Sequence, residues 1–120
     1  MTRKEIAISF LEMASSGQVR EAFERYIHPN FIHHLVFFKG DRQSFLLAME
    51  ENAREFPNKT YETKHALEDG EYVAVHGKVT LDDTIFGVIH IFRFEGDKII
   101  ESWEASQQEI ENSPNRYGLF

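Results

Sequence analysis

The 120-residue sequence has no cysteine and only three prolines. Without thiols, disulfide scaffolds, thiolate nucleophiles and zinc–thiolate centres are excluded together. Cations are scarce as well: 13 Lys and Arg stand against 20 Asp and Glu, a formal net charge of -7. That is the wrong sign for a module that neutralises phosphates with a basic stripe. No segment approaches the roughly 18–20 continuous apolar residues that a membrane span requires. The start, Met1 to Ile6, carries two basic residues with no apolar run of signal-peptide length behind them. Gly-rich phosphate loops and a Gly-x-Ser-x-Gly elbow are missing. The histidines lack the His-Glu-x-x-His spacing of a zinc helix, and His33 and His34 are adjacent, so in a strand they point to opposite faces. The expectation is a cytoplasmic protein with no metal, no nucleic-acid partner and no membrane partner.

What is present suits a globular chain. Hydrophobic residues make up 42% and charged residues 28%, and a chain of this length forms one domain, here 1–120, able to bury roughly 65–70% of its unfolded surface. Aromatics reach 13%, with 11 Phe, 4 Tyr and the single Trp103, and six histidines accompany them. Rings line cavities and interfaces efficiently because each buries a large area at low rotamer cost. The plainer use of Phe, filling a small core, explains the same composition.

The first third reads as helical. Ile6, Phe10, Met13 and Ala14 recur at helical spacing behind a Thr2-x-x-Glu5 capping box, and Ser15-Ser16-Gly17 stops the run. A shorter helix over Gln18–Tyr26 is broken by His28-Pro29-Asn30. Phe31–Phe37 reads as extended. Asp41 caps a helix from about Arg42 to Glu55, closed by Pro57-Asn58. From Lys59 onward the pattern is that of strands: Thr60–Glu68, Glu71–Leu81, Thr84–Phe94 and Lys98–Gln107, separated by Asp69-Gly70, Asp82-Asp83 and Gly96-Asp97. Such two-residue turns mark antiparallel hairpins. Helices first and a meander afterwards predict an α+β fold with the helices gathered on one face. In Ile85–Phe94 both faces are apolar, so the face that the helices leave bare needs a second cover, and another copy of the chain is the simplest one.

Acid/base equipment sits inside these apolar strands. His90 lies in Val88-Ile-His-Ile-Phe92, Glu104 follows Trp103 on the next strand, and His34 lies after the second helix. Burial raises a carboxyl pKa and lowers that of histidine, which moves both toward neutrality. The structural alternatives are plain: a strand histidine satisfied in a core or interface, and a glutamate solvated near a strand end. Register decides between them. A clean two-residue loop at Gly96-Asp97 pairs His90 with Trp103 and puts Glu104 on the opposite face. A longer loop or one bulge brings His90 and Glu104 together. Both remain open at this point.

Taken in order, Phe31-Ile-His-His34, Phe56-Pro57, Val73-Ala-Val-His76, Ile89-His-Ile-Phe-Arg93, Gly96-Asp-Lys-Ile-Ile-Glu-Ser-Trp-Glu104 and Asn115-x-x-Gly118-x-Phe120 resemble the SnoaL-like polyketide cyclase group of the nuclear transport factor two-like superfamily. The resemblance covers nearly the whole chain. It implies a cone-shaped, curved antiparallel (mixed) sheet wrapped around N-terminal helices, enclosing an apolar pocket, and often a homodimer through the sheet. It implies chemistry without metal or organic cofactor: removal of a proton beside a carbonyl, with hydrogen bonds stabilising the enolate. His34, His76 and Arg93 match recurrent positions of the family. Two departures stand out: His90 where relatives often carry aspartate, and Ser102-Trp103-Glu104 where they often carry His-Trp-Asp. The residues this reading assigns to catalysis are His34, His90 and Glu104, with Glu104 or His34 as base and His90 as partner or electrophile. His76, Trp103, Phe31, Phe86 and Phe92 are assigned to the pocket lining. Three readings follow: an enzyme acting on a small apolar carbonyl compound, a non-catalytic module binding a small apolar ligand, and a structural dimer whose cavity is filled by Phe side chains.

Overall fold

A computed structural model describes all residues from Met1 to Phe120. Thr2 caps α1 (Arg3–Ser15) in a reciprocal box: its hydroxyl accepts from the Glu5 amide, and the Glu5 carboxylate accepts from the Thr2 amide. Helix α2 (Val19–Tyr26) follows after a tight turn, and Asp41 caps α3 (Arg42–Glu55) by accepting from the Ser44 amide. Five strands complete the chain: β1 (Ile27–His33), β2 (Thr60–Asp69), β3 (Tyr72–Leu81), β4 (Thr84–Glu95) and β5 (Lys98–Gln108). They form one sheet in the order β1-β5-β4-β3-β2. The β2–β5 meander is antiparallel and β1 joins β5 in parallel, so the sheet is mixed. Interruptions of register in β1, in β2 near Lys64 and in β5 near Ile100 help to curve it. No helix is long and apolar enough to cross a membrane.

The run expected to be extended over Phe31–Phe37 is the same length but lies earlier, at Ile27–His33. Strand β1 begins at Ile27 and tolerates Pro29 because it is an edge strand that pairs only with β5. It ends at His33, whose imidazole organises the next turn. Nε2 lies 2.7 Å from the Lys39 carbonyl, Nδ1 accepts from the Leu35 amide, and the backbone amide donates to the Gly40 carbonyl. The chain wraps this ring instead of continuing as strand, leaving Val36 and Phe37 exposed.

The concave face of the sheet closes on the helices through interlocked rings. Phe10 packs on Phe23 and edge-on against Phe92, and Phe23 meets Phe45. Val73, Val75, Phe94 and Ile99 complete the sheet side of this core. Toward the open end of β3 the packing changes. Gly77 is buried, and a Cβ built on it would stand 2.3 Å from the Tyr61 hydroxyl oxygen. Its missing side chain is the space in which the Tyr61 ring lies.

That close approach sets an expectation for stability. Gly77→Ala should cost about 1–3 kcal/mol, the range for overpacking a fitted site, read as a lower urea midpoint. A Tyr61→Ala background should remove most of the penalty. An unchanged midpoint in Gly77→Ala alone would show that the ring does not need this space.

Candidate active site

Beyond the aromatic core the concave face opens into a cavity of about 260 Å³, near the small end of the roughly 300–1,000 Å³ usual for ligand pockets. Leu11 and Ala14 of α1, Met49 and Asn52 of α3, and Val79, Phe86 and Val88 of the sheet supply much of its wall. Four polar side chains that can ionise join them: Lys59, Tyr61, His90 and Glu104.

The register of β4 and β5 puts two of these side by side. Gly96-Asp97 makes a clean two-residue loop, since Glu95 pairs with Lys98 and Phe94 with Ile99. The next pair is Arg93 with Glu101, so Ile100 is an extra residue in β5. The bulge keeps Ile99, Ser102 and Glu104 on the concave face and sets Glu104 directly opposite His90. His90 Nε2 and Glu104 Oε1 are 3.1 Å apart, and only 13% and 29% of the two side chains is exposed. Oε2 of Glu104 makes no hydrogen bond within the protein, and His90 Nδ1 is buried without a partner. The His90 ring lies flat against Phe92, ring centroids 5.5 Å apart.

The electrostatics differ from the expectation that burial raises the Glu104 carboxyl. Burial does push it up, but the His90 hydrogen bond, with the charges of His90 and Lys59 behind it, holds it below the ordinary carboxylate value. Glu104 is therefore ionised at neutral pH. Burial pulls Lys59 down and the nearby Glu104 pulls it only partly back. Its ammonium donates to Asn52 Oδ1 at 2.6 Å. Burial raises the Tyr61 hydroxyl, opposed more weakly by the Thr63 hydroxyl.

The remaining sequence-predicted residues fall elsewhere. His34 lies past the end of β1 on the convex side, stacked on Trp103 with centroids 5.0 Å apart. Its Nε2 meets Glu101 Oε2 at 2.7 Å, while Arg93 donates to the other Glu101 oxygen at 2.9 Å. Glu101 and Trp103 alternate with Ser102 and Glu104 along β5, so this cluster and the His90–Glu104 pair are on opposite faces. His34 thus cannot reach the cavity, and Trp103 does not line it. His76 is convex too, with Nδ1 3.1 Å from that of His65 and its ring against Phe120. Phe31 and Phe92 belong to the packed core, and of the five predicted lining residues Phe86 alone borders the cavity. Lys59, Tyr61 and Asn52 were not anticipated. Alternation in β2 places Tyr61 on the concave side, but no sequence signal carries Lys59 there from its turn after Pro57-Asn58.

Comparisons with known proteins agree with this architecture. The sequence model of the SnoaL-like domain matches residues 7–102. Wild-type IdmH from Streptomyces antibioticus, described as a candidate polyketide cyclase, is 17% identical, with a TM-score of 0.74 over 89% of this chain and 93% of that one. A candidate ketosteroid isomerase from Kribbella flavida is also 17% identical, with a TM-score of 0.74 over 95% of this chain and 84% of that one. An NTF2-like protein of unknown function from Cytophaga hutchinsonii is 13% identical, with a TM-score of 0.73 over 89% and 91%. At these identities the likeness is one of fold. No curated protein sequence matches.

The Glu104 environment predicts an acid limb in the stability profile. Because the folded carboxyl titrates below its unfolded value, the stability it confers is complete above the ordinary carboxylate range and is lost as pH falls through the lowered folded value. Urea unfolding followed from neutral pH downward should show a shallower acid limb in Glu104→Gln than in the native protein. Superimposable limbs would show that the pair is not formed.

Proposed function

The chain belongs to the SnoaL-like domain family, and from that membership together with the cavity we propose that it is a cofactor-independent acid/base enzyme acting on a small, mostly apolar carbonyl compound, by an aldol-type cyclisation, isomerisation or dehydration. The observation that carries this reading is the His90–Glu104 pair, 3.1 Å apart in the wall of a largely apolar hollow. Glu104 has the features of a general base. It is ionised, half-shielded from water, and keeps one carboxylate oxygen free of protein partners. His90 occupies the other oxygen and thereby fixes the orientation of the carboxylate. A proton beside a carbonyl, placed at the free oxygen, passes to Glu104 and returns to another atom of the same substrate. A positioned general base of this kind contributes typically about 10²–10⁴-fold. His34, on the other side of the sheet, takes no part.

We propose further that the convex face is where two copies meet. It exposes Leu67, Tyr72, Ile89 and Ile91 around Trp103, a contiguous apolar area that a soluble monomer rarely leaves uncovered.

Two measurements test these assignments. With a panel of small 1,3-dicarbonyl and enone compounds, Glu104→Gln should lower kcat by at least about 100-fold with an unchanged circular dichroism spectrum; undiminished kcat removes the base assignment. Native protein that binds such compounds but turns none over would instead make the domain a binding module. Sedimentation of Ile91→Glu should give a monomer where the native chain gives a dimer, and a native monomer at micromolar concentration would contradict the interface.

A further inference from the structure

The cavity wall carries one lysine, one glutamate and one histidine among its lining residues. The glutamate and the histidine bond one another, but the lysine has no carboxylate of its own. Every ion pair in the molecule is made by other residues. The only side-chain partner of the Lys59 ammonium is the neutral oxygen of Asn52, which occupies one of three N–H donors and points the group from the α3 side. A cation held by a neutral partner in a largely apolar wall is costly unless something negative comes to it. Glu104 is close enough to attract it and too far to bond it.

Proton abstraction changes which group is negative. Before the step the negative charge resides on Glu104. When the C–H bond breaks, its proton forms an O–H bond with the free Glu104 oxygen and its electron pair moves into the substrate to become an enolate, so the charge passes from protein to ligand and the total is unchanged. Resting on the assignment of Glu104 as base, we infer that Lys59 is a second catalytic residue: its ammonium, oriented by Asn52, receives the oxygen of the enolate. The substrate class this selects is a carbonyl compound whose enolate oxygen, rather than a permanent carboxylate, is the anionic group. A permanent anion would meet Lys59 and the ionised Glu104 together, whereas the enolate exists only once Glu104 has been neutralised. Donors placed where charge develops act on the transition state more than on the ground state.

A phenol serves as an enolate mimic whose ionisation can be seen. 4-Nitrophenol bound to Glu104→Gln, which reproduces the neutralised base, should be ionised about tenfold or more readily than in Glu104→Gln/Lys59→Met, one unit or more in the ligand's apparent pKa, read from the phenolate absorbance band. Glu104→Gln/Lys59→Arg should keep the phenolate, since charge is preserved. Equal ionisation with and without the lysine would overturn the proposal, as would failure of Glu104→Gln to take up the phenol at all. The base assignment fails or stands separately, on the kcat of the single Glu104→Gln variant. A lysine-dependent phenolate in a protein whose turnover ignores Glu104 leaves Lys59 as an anion site and removes the base.

Discussion

The hydrogen bond between His90 and Glu104 joins two strands, and it can form only in the register that one extra residue imposes. With Ile100 accommodated as a bulge, Glu104 faces the helices and the cavity; in an unbulged hairpin of the same sequence it would face outward opposite Ile89. Because side chains alternate strictly along a strand, there is no intermediate arrangement. The bulge therefore decides whether the hollow contains an acid/base pair. The pair in turn bears on the charge of the hollow, since the hydrogen bond and charge of His90, together with the charges of Lys59 and His33, outweigh burial and hold the carboxyl below its ordinary value.

The same alternation divides the ionisable residues of the sheet into two sets. Glu104 and His90 face inward with Lys59 and Tyr61 nearby, where the side chains are mostly buried and hydrogen bonds are few. His34, Glu101 and Arg93 face outward and are joined through both Glu101 oxygens, with His34 stacked on Trp103. Groups that neutralise each other have little left to offer a ligand. Partly satisfied groups in an apolar hollow do, because each unmade hydrogen bond is a cost that a ligand of the right chemistry relieves. On that ground the inward set is the one we propose as the site, and the outward set as part of the proposed interface.

Much of this architecture is legible in the residues themselves. Helix α3 and the four meander strands lie within a residue or so of the spans read from capping, periodicity and two-residue turns, because those signals are local. The bulge was visible only as one of two options, since hairpin register depends on how both strands pack, not on the turn alone. After β1 the sequence pattern and the structure differ because an alternating apolar run, Phe31 to Phe37, mimics a strand; His33 ends it through contacts with Leu35 and Lys39. Motif likeness assigns His34 to catalysis and His76 to the pocket lining, and a motif does not record which face of a curved sheet a position occupies. Lys59 escaped notice because a lysine after a Pro-Asn turn is ordinarily solvated; only the packing of α3 over the open end of the sheet encloses it.

The pairing of His90 with Glu104 has a direct spectroscopic consequence. A carbon-13 NMR titration that follows the Glu104 carboxyl should give a pKa below 4.5, its unperturbed value, and the value should rise when His90 is replaced by leucine, because burial then acts unopposed by its main partner. A carboxyl that titrates at or above 4.5, unmoved by loss of His90, would contradict the central claim.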